Sequence, residues 1–323
     1  MKLILKLIKM KLKKPKFWEL NKPTFFAYIL LPFSIFIKIN NFFLNKKIKK
    51  VKKDIKTLCV GNIYIGGTGK TPLVIKLYQN LKKINNNISV GKKFYEDQID
   101  EEILLRKKTN LIVDKNRQKI IQRAINENKK ILIFDDGLQD RNITYDLEFV
   151  CFDAETWIGN GFLIPSGPLR EEITSLKKYD AVFLKNSSDE NPDIVNSITK
   201  INPNINIFHT WYEIKNLKEF DLSDKFLIFS GIGNPNSFKK LLLKNNFNII
   251  DEIIYPDHYK YNDKDIKFIK NQAIKNKAKI VTTAKDFTKI KKIDQNNINY
   301  IDIDLIIKNE KNLMNLLEKR INE

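Results

Sequence analysis

The segment from residue 57 to residue 81 restricts the fold of this chain more than any other part of the sequence. It reads TLCVGNIYIGGTGKTPLVIKLYQNL: an apolar strand, a glycine-rich turn and an amphipathic helix. The chain has only eleven glycines in 323 residues, and four of them lie within nine residues of this turn. Glycine lets backbone N–H groups wrap around a ligand, and the helix start adds its own free N–H groups. The segment therefore predicts a phosphate-binding loop (the P-loop, residues 61–71) in an α/β fold.

The residue types in this loop predict individual contacts. Lys70 is expected to reach the β- and γ-phosphates of ATP, and the Thr71 hydroxyl is expected to bind Mg²⁺. The strict motif requires glycine where this chain has Tyr64, so the match rests on the strand–loop–helix setting. The alternative is a glycine-rich turn that merely joins a strand to a helix. The predicted nucleotide-binding residues are Tyr64, Ile65, Gly66, Gly67, Thr68, Gly69, Lys70 and Thr71.

A second apolar run supplies an acidic partner for the metal. Residues 130–136 read KILIFDD, so a short apolar strand ends in Asp135 and Asp136. Carboxylates at the end of a buried strand hold Mg²⁺ in phosphoryl-transfer sites, although Asp-Asp-Gly alone is common in turns. Together with the P-loop, this run predicts that Thr71, Asp135 and Asp136 hold the metal.

The charge distribution is uneven. The chain has 58 Lys and Arg against 38 Asp and Glu, a net charge of +20. Residues 1–53 contain fifteen lysines and one acid, a net of +14, which leaves +6 for the rest. A nucleic-acid-binding face would spread cations over the folded part, so we expect no nucleic-acid partner. The block at the N-terminus instead predicts an arm that meets a negatively charged surface.

Two features of this arm suggest a membrane. Lysines at helical spacing form one stripe of an otherwise apolar segment, and residues 23–37 (PTFFAYILLPFSIFI) carry no charge. A spanning helix needs roughly 20 apolar residues, and Pro32 is expected to interrupt this one. We expect the segment to lie in or along one leaflet. The alternatives are a core helix with a solvated lysine tail and, less favoured, a single span. The stripe consists of Lys2, Lys6, Lys9, Lys13 and Lys16.

Beyond residue 56, short apolar runs alternate with stretches of helical pattern, which is typical of a parallel sheet covered by helices. We expect an α/β protein: a P-loop NTPase-like three-layer α/β/α domain, a second, smaller α/β domain and an N-terminal membrane-associated helical arm. The expected ranges are 1–53 for the arm, 54–204 for the P-loop domain and 205–323 for the second domain. The expected strands are 57–64, 88–91, 110–113, 130–135, 147–153, 180–184, 205–212, 226–231, 248–255, 279–283 and 298–304.

Six blocks then occur in a recognisable order: GNIYIGGTGKTP (61–72), DDGLQDRNITYDLEFVCFD (135–153), GNGFLIPSGPLRE (159–171), FSGIGNPNSF (229–238), YPDHYKY (255–261) and VTTAKDF (281–287). In content and order they resemble the tetraacyldisaccharide 4'-kinase family of the lipid A pathway of Gram-negative bacteria. The GNG…PSGPLRE and PDH blocks are far more specific than a P-loop.

The resemblance implies two α/β/α domains joined by a short β linker, with the active site between them. It implies transfer of the ATP γ-phosphoryl group to the 4'-hydroxyl of a tetraacyldisaccharide 1-phosphate, forming lipid IVA. The expected cofactors are ATP and Mg²⁺, and the enzyme would sit on the cytoplasmic face of the inner membrane. No obligate protein partner is evident.

The resemblance also implies catalytic residues. The family's Asp–His pair matches Asp100, the expected base, and His258, which would orient or polarise it. Arg170 is expected to meet phosphate and Glu171 to orient the site. Lys285 and Asp286 are weaker candidates. The implied catalytic set is Asp100, His258, Lys70, Arg170 and Glu171, while His209 is expected to be structural.

The chain departs from the family pattern near the expected acceptor site. Residues 92–95 (KKFY) stand where the family has Ser-Arg-Gly-Tyr-Gly, and the segment before Asp100 is shorter. Glu102 replaces a proline, and Asp140 replaces a histidine after Gln139. Two further hypotheses stay open: a P-loop ATPase or GTPase whose nucleotide state controls membrane attachment, and a non-catalytic relative that binds lipid. No Asn-Lys-x-Asp element for guanine is evident, which argues against GTP.

Overall fold

The computed structural model describes residues 15–44, 54–140, 142–186 and 191–322. Within these ranges the chain forms two β-sheets whose strands alternate with helices along the sequence. The strands are β1 Lys56–Gly61, β2 Ile88–Lys93, β3 Leu111–Asp114, β4 Ile131–Asp135, β5 Leu147–Asp153, β6 Ala181–Lys185, β7 Asn206–Ile214, β8 Lys225–Ser230, β9 Asn248–Ile254, β10 Lys279–Thr283, β11 Ile298–Ile301 and β12 Ile303–Ile307. The helices are α1 Phe25–Leu44, α2 Lys70–Lys82, α3 Ile99–Lys108, α4 Arg117–Asn126, α5 Pro192–Ile201, α6 Pro235–Lys244, α7 Asp263–Asn276, α8 Ala284–Phe287 and α9 Glu310–Asn322.

The larger sheet has eight strands in the order β12-β7-β6-β5-β1-β4-β2-β3, and only β12 runs antiparallel to its neighbour. The central strand β1 is buried on both faces: Leu58 and Val60 belong to one hydrophobic core and Cys59 to the other. Successive side chains of a strand point to opposite faces, so a continuous apolar run is what a doubly covered strand requires. The predicted fold class is confirmed.

The smaller sheet has four parallel strands in the order β11-β10-β8-β9. The chain leaves the larger sheet after β7 and returns to it at β12, and the two crossings touch each other. The backbone N–H of Lys215 donates to the carbonyl oxygen of Asp302 at 2.9 Å. The Asp302 N–H donates to the Asn216 side chain at 3.0 Å.

The expectation of one strand over 298–304 is wrong. Two strands lie on either side of Asp302, β11 in the smaller sheet and β12 in the larger one. Ile301 is buried in a core of the smaller sheet, whereas Leu305 is buried in a core of the larger sheet. An apolar run with one break cannot reveal that its halves pack in different cores. Residues 205–323, the predicted second domain, thus include β7 and β12 of the larger sheet, and the division into domains remains a prediction.

Helix α1 is attached to the loop that joins β5 to β6. The Ser34 hydroxyl lies 2.8 Å from both the Leu163 carbonyl oxygen and the Ser166 hydroxyl. The Trp18 indole N–H donates to the Pro165 carbonyl oxygen at 3.0 Å. These contacts connect α1 and the turn that precedes it to a loop that reaches the functional site described below.

The helix continues through Pro32, contrary to the expected interruption. An internal proline costs about 3 kcal/mol in a helix, and the contacts of the neighbouring Ser34 help to offset that cost. The other side of α1 is apolar and exposed: Phe25, Phe33 and Phe36 are 76%, 59% and 71% exposed. The described chain therefore does not cover α1 as a core helix.

Among the described residues, no helix combines the length and apolar character needed to cross a membrane. The predicted lysine stripe lies outside the described residues, except for Lys16, which begins a 3₁₀ turn at Lys16–Trp18.

Candidate active site

The carboxyl ends of the parallel strands in the larger sheet meet at one edge, which is where open α/β sheets bind ligands. The P-loop follows β1, while Asp135 ends β4, Lys185 ends β6 and Lys92 lies at the end of β2. This edge faces loops of the smaller sheet across a cleft of about 410 Å³ that residues from both sheets line.

The P-loop has the backbone that its glycines predict. Gly66 and Gly69 have φ angles of 136° and 88°, a range that strains any other residue, and Gly69 is the N-cap of α2. Asn62 braces the turn, because its Nδ2 donates to Thr68 Oγ1 at 3.0 Å and to the Gly66 carbonyl oxygen at 3.3 Å. The first residues of α2 line the cleft, so the free N–H groups of a helix start are available to an anion there.

The predicted nucleotide-binding residues from Ile65 to Thr71 all line the cleft. Tyr64 is instead buried against Leu163 and Leu169, and its backbone bridges to Leu169. The next residue, Ile65, donates its N–H to the Pro168 carbonyl oxygen at 2.9 Å. The tyrosine that breaks the strict motif therefore ties the P-loop to the loop that carries Arg170.

Two of the predicted metal ligands lie side by side. Thr71 Oγ1 donates to Asp135 Oδ2 at 3.1 Å. The other carboxylate oxygen of Asp135 is buried and has no hydrogen-bond partner among the described residues. A buried polar atom left without a partner is costly unless a ligand satisfies it. Because hydroxyl and carboxylate oxygens are the ligands that Mg²⁺ prefers, this pair fits the expected ion.

The described ranges contain no group of three or more His, Cys, Asp or Glu that could hold a metal by itself. Mg²⁺ in phosphoryl-transfer sites is typically bound by one or two carboxylates together with substrate phosphates, so a small set of protein ligands is what this chemistry needs. Burial raises the pKa of Asp135, and the charge of Lys92 opposes that rise.

Asp136 lies beside the P-loop lysine. Its Oδ2 is 4.0 Å from Lys70 Nζ and its Oδ1 is 3.5 Å from Arg170 Nη1. Burial raises the pKa of Asp136, but the charges of Lys70 and Arg170 outweigh burial and keep it below its ordinary value. Its φ of 59° is held by Arg117, which donates to the Asp136 carbonyl oxygen and pairs with Asp140 at 2.8 Å. The aspartate that departs from the family pattern thus supports the bend after β4.

Arg170 and Glu171 are connected through Gln139. Arg170 Nη1 donates to Gln139 Oε1 at 3.2 Å, and Gln139 Nε2 donates to Glu171 Oε1 at 3.0 Å. Glu171 is buried and also accepts a hydrogen bond from Lys178 at 2.6 Å. Arg170 lines the cleft, while Glu171 lies behind it. The contacts of Glu171 suit the orienting role expected of it rather than contact with a substrate.

Asp100 and His258 meet between the two sheets although 158 positions separate them. His258 Nδ1 lies 2.9 and 3.1 Å from the two carboxylate oxygens of Asp100. Asp100 is in the first turn of α3, whereas His258 follows β9 and has a left-handed φ of 57°. The His258 backbone N–H donates to Asp257 Oδ1 at 2.9 Å, which helps to hold that conformation.

The charges around Asp100 keep it ionised. Lys289 Nζ and Lys285 Nζ lie 3.3 and 3.6 Å from Asp100 Oδ2. Burial raises the pKa of Asp100, but the hydrogen bond with His258 and these lysines lower it to about 2. The carboxylate is therefore unprotonated at neutral pH, which is the form that a proton acceptor requires.

The sequence predicted no role for two further charged residues, Lys92 and Glu101, which belong to the group of charges around Asp100 (the Asp100 cluster). Lys92 Nζ lies 2.8 Å from Glu101 Oε2 and 3.1 Å from Asp135 Oδ2. Glu101 Oε1 lies 3.3 Å from Lys285 Nζ. The available signal was a lysine at the end of an otherwise apolar strand, since a buried lysine needs acidic partners.

The smaller sheet approaches the P-loop closely. A Cβ on Gly233 would lie 3.0 Å from the backbone nitrogen of Gly67, so the loop after β8 is in near contact with the P-loop. The Asn234 side chain also reaches the larger sheet, where its Nδ2 donates to Asp153 Oδ2 at 3.0 Å. The same carboxylate pairs with Lys185 at 2.8 Å. The cleft therefore has walls from both sheets.

The remaining residues singled out from the sequence lie in three places. Lys285 belongs to the Asp100 cluster. Asp286 is fully buried and accepts hydrogen bonds from the Gly231 N–H at 3.0 Å and the Tyr261 hydroxyl at 3.1 Å, so it supports the loop after β8. His209 lies in β7, where its carbonyl oxygen accepts from the Lys308 N–H at 2.9 Å.

Comparison with known proteins gives consistent matches along the chain. A family model described as tetraacyldisaccharide-1-P 4'-kinase matches residues 26–322. The tetraacyldisaccharide 4'-kinase of Pelagibacter ubique is 48% identical over 310 residues, which cover 96% of this chain and 98% of that protein. The tetraacyldisaccharide 4'-kinase of Rickettsia canadensis is 35% identical over 331 residues, covering 96% and 97%.

Among solved structures, LpxK from Aquifex aeolicus in complex with ATP superposes with a TM-score of 0.67 at 22% identity, covering 91% of this chain and 99% of that one. At that level of identity the superposition supports the fold alone.

Proposed function

This chain belongs to the tetraacyldisaccharide-1-P 4'-kinase family, and on that premise we propose that it transfers the γ-phosphoryl group of ATP to the 4'-hydroxyl of a tetraacyldisaccharide 1-phosphate, forming lipid IVA. The single observation that best supports this activity is that Asp100 and His258 form a hydrogen-bonded pair whose histidine lines the same cleft as the P-loop.

Each side chain has a role in the transfer. The P-loop amides and Lys70 bind the β- and γ-phosphates, and Arg170 stabilises the negative charge on the phosphoryl group during its transfer. When bound, Mg²⁺ neutralises charge on the same phosphates, and Thr71, Asp135 and Asp136 would hold it. The 4'-oxygen attacks the γ-phosphorus as the bond to the β-phosphate oxygen of ADP breaks.

The proton follows the attack. Asp100 accepts the proton of the 4'-hydroxyl, and His258 holds the Asp100 carboxylate in place and stabilises the acid that forms. With a pKa near 2 in the resting site, Asp100 is a weak base, so the proton moves late, once the new oxygen–phosphorus bond has acidified the hydroxyl.

The test is transfer of label from γ-³²P-ATP to the disaccharide 1-phosphate in detergent. We expect label in the lipid from the wild type and none from Lys70→Ala. Hydrolysis of ATP without labelled lipid would instead favour a regulatory ATPase, and neither activity would favour a non-catalytic relative.

We also propose that the arm and α1 seat the enzyme on the cytoplasmic face of the inner membrane. The exposed phenylalanines of α1 and the net charge of +14 over residues 1–53 support this, since each lysine near an anionic leaflet contributes about 1 kcal/mol. Binding to the membrane surface would bring the cleft close to an acceptor whose acyl chains lie in the bilayer. The attachment of α1 to the loop of residues 163–166 supports a fixed orientation of the site.

Sedimentation with anionic liposomes tests the membrane seat. Deleting residues 1–16 should weaken binding in a salt-sensitive manner, and Phe33→Asp with Phe36→Asp should weaken it at any salt concentration. A matched control is Phe268→Asp with Ile274→Asp, because these α7 residues are also exposed, at 51% and 75%. Equal loss in both pairs would contradict the proposal.

A further inference from the structure

Lys92 is a buried cation that the roles above do not use. Only 3% of its surface is exposed, and its ammonium group touches two carboxylates of the site. It pairs in register with Asp135 across neighbouring strands, Lys92 on β2 and Asp135 on β4. The sheet, rather than a flexible loop, therefore fixes the backbone position from which the Lys92 side chain extends and the direction in which it leaves the strand.

The two carboxylates belong to different halves of the site. Asp135 Oδ2 also accepts the Thr71 hydroxyl, so it is on the phosphate side. Glu101 follows Asp100 in the first turn of α3, and its Oε1 lies 3.3 Å from Lys285 Nζ and 3.8 Å from His258 Nε2. A single ammonium group thus connects the strand end that carries the metal-holding carboxylate with the helix start that carries the expected base.

Because this connection is buried, losing any one of its charges would cost free energy. A buried ammonium group is costly unless its N–H groups are paired, and removing one partner of a buried ion pair leaves an uncompensated charge. Without Lys92, the carboxylates of Asp135 and Glu101 would lose the cation that both of them contact. Their repulsion would turn the Asp135 oxygens away from Thr71 and shift the start of α3.

We propose that Lys92 is a positioning residue that fixes the Asp135 carboxylate towards the metal and, through Glu101, sets Asp100 at its distance from the γ-phosphate. The inference rests on the proposed kinase function for its catalytic part only. It describes how this chain's own buried residues complete the site.

The decisive variant is Lys92→Met, which keeps the length of the side chain and removes its charge. The matched control is Lys93→Met, because Lys93 is the adjacent lysine, is half-buried and lies over the Tyr95 ring at 5.6 Å rather than against a carboxylate. Lys92→Arg keeps the charge and can donate to both carboxylates. Thermal melting and circular dichroism establish that each variant is folded.

Two measurements are made on each full-length variant. The first is the affinity for ATP with Mg²⁺ and with EDTA, by calorimetry, which needs no lipid acceptor. We expect Lys92→Met to lower the ratio of these affinities at least about 5-fold, because a misplaced carboxylate weakens the metal-linked part of binding. The second is steady-state transfer, in which kcat should fall at least about 30-fold while KM for the disaccharide changes less than about 3-fold. Lys93→Met should leave both unchanged.

The kcat of Lys92→Arg should be at least about 10-fold higher than that of Lys92→Met, because arginine restores the cation. A folded Lys92→Met with a wild-type metal ratio and a wild-type kcat overturns the proposal, and so does a folded Lys92→Arg as inactive as Lys92→Met. If Lys92→Met does not fold, the test rests on the kcat of Lys92→Arg relative to the wild type. A kcat lower by less than about 30-fold supports positioning by the charge of Lys92, and a larger decrease overturns the proposal. A wild type that transfers no label refutes the kinase function, whereas the metal ratio still tests Lys92.

Discussion

The two halves of the cleft are built in different ways. The phosphate half comes from one short stretch of chain, residues 61–71, together with the end of the neighbouring strand β4. The acceptor half joins α3 near the larger sheet to a loop and a short helix of the smaller sheet, with Asp100 and His258 158 positions apart. A site of this kind can lose its chemistry while it keeps its nucleotide, because the acceptor half depends more on how the two sheets are placed than the phosphate half does.

The largest expected effect is on the phosphate half. Lys70→Ala removes the P-loop lysine that is expected to contact the phosphates and should lower transfer by at least about 10³-fold, with weaker ATP binding as well. Labelled transfer and calorimetric ATP titration measure the two effects. Lys82→Ala, an exposed lysine at the end of the same helix, should leave both unchanged; activity retained in Lys70→Ala would remove the loop from the mechanism.

A variant of the acceptor half should separate the two activities. Asp100→Asn removes the expected base and should lower kcat by about 10² to 10⁴-fold, while the affinity for ATP stays within about 3-fold of the wild type. The variants His258→Gln and His209→Gln are compared in the same assays. His209 is the other histidine of the chain, so its replacement controls for the loss of a histidine as such. If Asp100→Asn lost ATP binding together with transfer, the two halves would not be independent.

The contact between the sheets offers a smaller and sharper test. Gly233→Ala would place a methyl group 3.0 Å from the Gly67 nitrogen and 3.1 Å from the Asp257 carboxylate. The loops must move apart by a few tenths of an ångström, so we expect a loss of about 10-fold in kcat with little change in melting temperature. An unchanged kcat would show that the spacing of the two sheets is not critical for transfer.

The smallest expected effect is on stability against pH. The pKa of Asp100 is lowered to about 2 from a model-compound value of 3.8, so its ionised form stabilises the fold above about pH 4 and this contribution is lost as the pH falls towards 2. Between pH 5 and pH 2.5, the free energy of unfolding should fall by about 1–2 kcal/mol more in the wild type than in Asp100→Asn.

Urea unfolding at the two pH values measures this difference. Asp97→Asn, at an exposed aspartate three residues earlier, should behave as the wild type does. Parallel losses in the wild type and in Asp100→Asn would mean that the cluster does not stabilise ionised Asp100.

Local patterns in the sequence were sufficient for the phosphate half and for most strands. Glycine spacing, the Gly-Lys-Thr order and a strand that ends in two aspartates depend on backbone geometry within a few residues, so they can be recognised in one dimension. The expected position of β4 and the predicted P-loop lining agree with the structure apart from Tyr64, whose side chain packs against Leu163 and Leu169.

Other features depend on partners that no local pattern contains. The break at Asp302 separates strands of two sheets because each half of an apolar run packs in a different core. The continuation of α1 through Pro32 goes with contacts to residues 163–166.

The sequence by itself determined that this chain folds as an α/β protein with a P-loop, and its motif blocks pointed to the family. The family resemblance predicted the pair of Asp100 and His258, which the structure brings together. Only the tertiary structure decided that Lys92 meets Asp135 and Glu101. The physical reason is that a backbone turn is specified by neighbours along the chain, whereas a buried charge is stable only beside a partner that folding brings from elsewhere.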